Sequence, residues 1–412
     1  MLSPQLFFLH FNKTAGTSFY RYLESHYATD EYIPDTDVPA MQRAKFEHKA
    51  FISKLAELKL VTKLHLNTRY LNDLRACQPG FKAVTVFRNP IARTYSQIEA
   101  WRRVPDVILS NVTPDRYQLL MDARQLPVEA FVEKHWARLS NRQSKMTAGV
   151  EQNEPIADTS TLIDAARTEL AKIDFVGLTH KLPELAFQLS WSLGLYNGFN
   201  DYRLNAARAE HHLSPLEKDA IAEQVVALND ADQPLYLDAE RRAFIQYSDA
   251  KYAIFQHSGR APQPRLLTNQ ESYTLTMEQP LYGEGWHERE AGILGSARWA
   301  GPNRLSTLYL PVSHTKPAKL RFMIASLIDP SLLSDLRIDA NDHPLTFTSQ
   351  IEEGFLVLET EALPPSGEPH TMRIVFESEK SVSASMVGAS TDDRQKTIAL
   401  ERVQLTPVHF DD

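Results

Sequence analysis

Cysteine is almost absent: Cys77 stands alone in 412 residues. One thiol cannot close an intramolecular disulfide, and it excludes cysteine-based zinc modules and iron–sulfur clusters. Long apolar runs are missing as well. No window offers about eighteen consecutive apolar residues, and Met1-Leu2-Ser3-Pro4 lacks a basic segment leading into an apolar stretch and a cleavage site. The expectation is a chain with no transmembrane segment, working in a reducing cytoplasm. The histidines show no metal-site pattern, because His211-His212, His287, His314 and His370 have neither i,i+4 spacing nor carboxylate partners, and no metal is expected. Nor does any G-x-x-x-x-G-K-[ST] string occur, the loop a nucleotide triphosphatase would need.

What is present is ordinary globular composition, 43% hydrophobic and 23% charged, which excludes wholesale disorder. At roughly 150 residues per domain the length suggests two or three domains. The net charge of −8 is unevenly spread. Residues 1–110 carry 15 Lys and Arg against 10 Asp and Glu, residues 111–264 carry 16 against 21, and residues 265–412 carry 13 against 21. This pattern argues against nucleic acid as a partner and leaves the N-terminal part with positive charge to spare for a small anion.

The apolar run Gln5–Phe11 leads into the small, polar Asn12–Ser18, after which Phe19, Tyr20, Leu23 and Tyr27 fall at helical spacing. Strand, turn and helix are the expectation. Further strands are predicted at Leu60–Leu66 and Lys82–Phe87, with helices at Ile91–Arg102 and Val128–Leu139. Strands alternating with helices indicate an α/β layer built on a parallel sheet. Ser214-Pro215-Leu216-Glu217 is a capping signal for a helix reaching about Asn229, and Leu235–Phe255 reads as another helix. Ser258–Pro264 then breaks the pattern. We expect residues 1–258 to form one domain, 259–267 a linker, and 268–412 an all-β sandwich. That last region carries alternating segments at Ser272–Met277, Leu305–Leu310, Lys319–Ala325, Asp335–Asp339, Phe355–Thr360, Thr371–Glu377 and Ile398–Leu405.

A strand that feeds a helix through a glycine turn points backbone N–H groups and the helix dipole at an anion. Here Lys13 adds a cation, and Thr17 and Ser18 add hydroxyls. The order His10 … Lys13-Thr14-Ala15-Gly16-Thr17-Ser18 resembles the H-x-P-K-T-A-G-T-S segment of the sulfotransferases related to heparan sulfate 2-O-sulfotransferase, with Asn12 in place of the usual Pro. Arg88-Asn89-Pro90-Ile91-Ala92-Arg93-Thr94-Tyr95-Ser96 is similar to that family's R-D-P-x-x-R-x-x-S, with Asn89 for Asp. Asn141–Met146 resembles N-x-Q-T-R, with Lys145 for Arg, and Phe175–Lys181 resembles F-x-G-L-T-E-R, with His180 for Glu. These motifs span roughly residues 5–200.

The resemblance implies a P-loop-NTPase-like parallel sheet flanked by helices, and a reaction that moves a sulfuryl group from 3′-phosphoadenosine 5′-phosphosulfate (PAPS) to a hydroxyl. It places Lys13, Thr14, Ala15, Gly16, Thr17 and Ser18 on the 5′-phosphosulfate of the donor, Arg88 and Ser96 on its 3′-phosphate, and Lys145 near it. Lys13 would neutralise charge on the leaving phosphate, and His65 is the first choice for the base that takes the acceptor proton. His10 and Glu24 are reserves. The structural alternatives are a helix cap with a solvated Lys13, an Arg88 bonded to carbonyls at a strand end, and a half-buried strand histidine at position 65.

Tyr282–Glu288 followed by Ala297–Gly301 resembles the G-W-x-x-x-E … R-W-T-G pattern of small β-sandwich modules attached to some bacterial surface-polysaccharide glycosyltransferases. Trp286 and Trp299 would then either face a sugar or fill the core. Together these features suggest a carbohydrate or glycolipid acceptor, neutral or lightly charged because the C-terminal part is acidic. Two rival expectations are a nucleotide-dependent kinase of similar layering and a catalytically silent glycan-binding protein.

Overall fold

The computed structural model describes residues 4–44, 47–109, 112–151, 154, 158–195, 212–257, 265–267, 272–279, 281–292, 295–314, 316–365, 371–380, 382–383, 386 and 395–408. The chain divides into two compact units, residues 1–247 and 248–412, each taken here by itself. The division falls inside one helix, ahead of the boundary expected at residue 258. The expected break at Ser258–Pro264 lies outside the described residues.

In the first unit β1 (Leu6–Leu9), β2 (Leu60–Val61), β3 (Lys82–Phe87) and β4 (Phe175–Leu178) form a parallel sheet in the order β2-β1-β3-β4. All four side chains of β1 are buried, as required of a central strand covered on both faces. Their alternation separates two cores. Phe7 and Leu9, with Ala83 and Phe87, enter one core with Phe51, Leu71, Leu74 and Leu170. Leu6 and Phe8, with Val84 and Val86, enter the other with Phe19, Leu23, Leu185 and Leu189.

The described α-helices as far as His257 are, in chain order, α1 (Gly16–Glu24), α2 (Val38–Ala44), α3 (His48–Ala56), α4 (Thr68–Cys77), α5 (Pro90–Arg102), α6 (Asp106–Leu109), α7 (Pro114–Gln125), α8 (Val128–Lys134), α9 (Trp136–Leu139), α10 (Arg142–Thr147), α11 (Thr159–Leu170) and α12 (Leu182–Leu193), then α13 (Pro215–Ala220), α14 (Ala222–Leu228) and α15 (Asp232–His257); α1, α3, α4, α11 and α12 supply the helical residues just named in those two cores. Gly177 has a packing reason: a Cβ there would lie 2.5 Å from Leu185 Cδ2, so only glycine lets α12 close on β4.

Three expected elements are shorter or broken. β2 ends at Val61, because Lys63 and His65 adopt left-handed backbone (φ 65° and 48°), which no strand continues. The helix expected at Val128–Leu139 breaks at His135, whose Nε2 pairs with Asp122 at 2.9 Å. The capping box at Ser214 forms as read, yet the helix it starts breaks at Ile221 and resumes as α14.

The second unit is built from two antiparallel sheets and one parallel pair, Arg265–Leu267 against Val312–His314. A seven-stranded sheet runs in the order Phe347–Glu352, Phe355–Thr360, Ala318–Leu327, Ile398–Pro407, Gly295–Ala300, Trp286–Gly292, with Tyr273–Thr276 also paired to Ile398–Pro407. A four-stranded sheet contains His343–Pro344, Arg337–Ala340, Met372–Glu377 and Leu305–Leu310. Phe322, Leu358 and Val403 of the first sheet share one core with Leu308, Ile338 and Ile374 of the second. The strands at Trp286–Gly292, Gly295–Ala300 and Phe347–Glu352 were not legible as alternating segments. Asn341 and Asp342, both left-handed (φ 48° and 68°), make the two-residue hairpin turn expected near Ala340–Pro344.

Candidate functional site

The loop after β1 is held in an unusual shape by its own residues. Lys13 and Ala15 both have positive φ (69° and 58°), a costly conformation for side-chain-bearing residues that persists only where surroundings enforce it. Thr14, fully buried, donates from Oγ1 to the Phe11 carbonyl at 3.0 Å and closes the turn. Ala15 caps α1 with no side-chain hydrogen bond. The first-turn N–H groups of Gly16, Thr17 and Ser18 therefore receive no side-chain oxygen from the cap. Gly16 is buried beneath His10: a Cβ at position 16 would stand 1.7 Å from the His10 Nε2.

Arg88 follows β3 and ties its turn to the loop after β1. Its Nη1 donates to the Lys13 carbonyl at 3.0 Å. Its backbone is clamped by one side chain, since Gln143 Oε1 accepts from Arg88 N–H at 3.0 Å and Gln143 Nε2 donates to the Arg88 carbonyl at 2.9 Å. Gln143 is completely buried, and Asp232 in turn caps its helix by accepting from the N–H groups of Gln143 (3.2 Å) and Ser144 (2.7 Å). Gln143 and Asp232 are site residues that the sequence reading did not single out. Gln143 sat inside a motif, but no property of the sequence says that its amide would face the Arg88 backbone.

Burial, reinforced by the Arg103 and Arg88 guanidiniums, lowers the Lys13 ammonium to about 8, with Glu99 pulling the other way. Arg88 is likewise lowered by burial. Two cations held close under such conditions are the electrostatic form of an anion site. Ser96 lies half-buried on α5 behind Arg88.

His65 sits in the loop between β2 and α4, not at a strand end. Its Nδ1 is 2.9 Å from the His10 carbonyl, and the two rings lie 4.3 Å apart. A carbonyl only accepts, so Nδ1 carries a proton, and whenever the ring is neutral its lone pair falls on Nε2. His10 is buried, with Nδ1 lacking a partner among the described residues, and burial followed by the nearby His65 holds it well below the usual histidine range. Glu24 is committed elsewhere: it pairs with Lys63, whose ammonium also meets Asp35 at 2.8 Å and faces the rings of Tyr20 and Tyr32.

Lys13 and His65 open onto one cleft of about 970 Å³, with Asn67, Tyr70, Arg138 and Arg142 among its other walls. That volume lies at the upper end of small-molecule sites. Lys145 does not line it. This residue, expected near the donor, is 2% exposed, and its ammonium reaches the Ala137 carbonyl at 3.5 Å. Among the described residues no group of His, Cys, Asp and Glu is arranged to hold a metal ion, and no helix is long and apolar enough to cross a membrane.

In the second unit Trp286 is half-buried. It meets Phe376 edge to face and donates from Nε1 to the Thr307 carbonyl at 2.7 Å, so it belongs to the core. Trp299 donates to Glu290 at 3.0 Å and lies 4.9 Å beneath the Lys396 ammonium. Gly283 and Gly285 are required by the close approach of the Thr307 and Leu305 carbonyls.

No family model and no curated protein matches the chain. Among solved structures, the chain is similar to one described as a novel family GH115 4-O-methyl-α-glucuronidase, BtGH115A, with specificity for decorated arabinogalactans. The identity is 12%, over 77% of this chain and 40% of that one, with a TM-score of 0.21. The chain thus spans less than half the length of that glucuronidase, and a likeness at this level carries no argument about activity.

Proposed function

We propose that residues 1–247 form a sulfotransferase that takes the sulfuryl group from PAPS and delivers it to a hydroxyl of a carbohydrate or glycolipid acceptor. The observation that carries this reading is the Arg88–Lys13 bond, which joins the two motifs expected to hold opposite ends of the donor at the C-terminal ends of adjacent parallel strands. In open α/β sheets that edge is where ligands collect. A loop after the first strand of a parallel sheet, with helices on both faces, also fits a P-loop-like fold.

The residues present fit a donor with two phosphates. Lys13 and Arg88 offer cations, and the start of α1 offers N–H groups. In the transfer, the acceptor oxygen bonds to sulfur while the bond from sulfur to the 5′-phosphate oxygen breaks. The acceptor proton passes to His65 Nε2, and the charge gathered on the leaving phosphate meets Lys13. His10 O keeps His65 in the tautomer this step needs.

Thermal unfolding with 3′-phosphoadenosine 5′-phosphate (PAP), AMP and ATP tests the reading. A ligand present at one hundred times its Kd stabilises by about 2.7 kcal/mol. Selective stabilisation by PAP is expected. An equal or larger response to ATP would favour a kinase instead.

A further inference from the structure

Of the residues expected to hold the donor, Lys13 lines the cleft, whereas Arg88 and Ser96 do not. Arg116, Arg138 and Arg142 also line its wall. Arg138 is paired with Asp115, which also lines the cleft. Among the described residues Arg142 has no hydrogen-bond or ion-pair partner. Behind it Arg93 is fully buried, and its Nε and Nη1 have no partner there either. Cations set into a wall at this density repel one another, and Asp232 lies near enough to offset only part of that. Counting the cleft's own charged side chains, Lys13, Arg116, Arg138 and Arg142 face Asp115 and Glu151. A guanidinium held this way recognises a carboxylate, phosphate or sulfate through paired N–H donors.

The wall next to these arginines is apolar. Trp101, Val104, Ile108 and Leu119, from the end of α5 to α7, line the same cleft. Ile108 is 46% exposed, and Val107 beside it is 76% exposed. An isoleucine left about half exposed in a charged cleft, beside an exposed valine, is poorly explained by folding alone.

We infer that the acceptor end of the cleft takes an anionic amphiphile, a molecule carrying one negatively charged group beside an alkyl or isoprenoid chain, with Arg142 on the charge and Trp101, Val104 and Ile108 along the chain. This deepens the sulfotransferase reading by naming its acceptor class, and it rests on that reading for the assignment of the cleft to an acceptor. It also narrows the neutral or lightly charged acceptor expected from the acidic C-terminal region to a lightly charged one: a single charge is compatible with that region, whereas a polyanion would be repelled.

Hexyl phosphate, hexyl glucoside and inorganic phosphate serve as probes, each titrated into the full chain with and without saturating PAP. Hexyl phosphate should bind at least about tenfold more tightly than either comparator, a difference equal to one well-placed interaction. R142Q should remove the preference for hexyl phosphate over hexyl glucoside while leaving the PAP response in place. I108S should remove its preference over inorganic phosphate, and serves if R142Q does not fold. Equal binding of hexyl phosphate and hexyl glucoside, or no binding of either, would overturn the inference, as would an unchanged preference in R142Q. If PAP itself gives no response, the donor reading has failed, and the series without PAP still decides whether the anionic amphiphile site exists.

Discussion

The His10 imidazole occupies the space a side chain at position 16 would need, with Nε2 1.7 Å and Cδ2 2.1 Å from the place of a Cβ. The same residue's carbonyl accepts from His65 at 2.9 Å. One residue therefore sets both how closely α1 approaches the first strand and which nitrogen of the candidate base is protonated.

Gly16→Ala should destabilise by about 1–3 kcal/mol, the usual range for forcing atoms into a packed site. The backbone at Gly16 is not left-handed, so the cost is steric alone. The variant His10→Ala/Gly16→Ala should recover part of the loss, and a double-mutant cycle in urea measures the coupling. Additive losses would mean the ring moves aside freely.

Gln143→Leu leaves the Arg88 N–H and carbonyl without their clamp. An unsatisfied buried polar group costs about 1–3 kcal/mol. The expected result is a stability loss in that range, together with weaker PAP binding because the Arg88 turn is no longer fixed. Denaturant unfolding and a PAP titration of the same preparation separate the two effects.

Lys13 supplies the pH dependence. Its ammonium is lowered to about 8, so it is charged below that pH and increasingly neutral above it. Affinity for PAP should hold up to about pH 8 and fall as pH rises through that value. Lys13→Arg keeps its charge throughout and should flatten the profile. For the free protein the sign is opposite: a lysine whose folded-state value is depressed disfavours folding at low pH, and that penalty is relieved as pH rises from about 8 toward the unfolded lysine range.

Glu24→Gln tests whether this carboxyl is structural. Its partner Lys63 is almost fully buried, with a side chain 6% exposed, and after the change keeps one carboxylate, Asp35, beside the Ile33 carbonyl at 3.3 Å. A loss of about 2–3 kcal/mol is expected, below the 3–5 kcal/mol for stranding a buried charge outright. PAP binding should be unchanged. A variant as stable as the parent but unable to turn over PAPS would return Glu24 to candidacy as the base.

Much of the first unit was legible because its signals are local. Leu6–Leu9 is apolar at every position and announces a covered strand. The residues Phe19 and Leu23 fall on one helix face, and Ser214 and Glu217 form the capping box they spell. The rest depends on distant partners. Lys63 and His65 looked like strand residues, but the ion pairs of Lys63 and the His65 bond to His10 hold them in left-handed backbone that ends the strand early. Lys145 reads as a donor contact by its place in a motif, while its burial comes from packing that no spacing records. In the second unit, Trp286–Gly292 and Gly295–Ala300 are strands whose glycines and charges hide the alternation, and Gly285 marks a close backbone approach rather than a loop for a ligand.

The most direct test of the donor site is isothermal titration of PAP against its 2′-phosphate isomer, 2′-phosphoadenosine 5′-phosphate, into the parent chain, Lys13→Ala and Arg88→Ala. The account predicts that the parent prefers the 3′ isomer, that Arg88→Ala binds both isomers alike, and that Lys13→Ala weakens both together. Equal affinity for the two isomers in the parent, or a preference that survives Arg88→Ala, would contradict it.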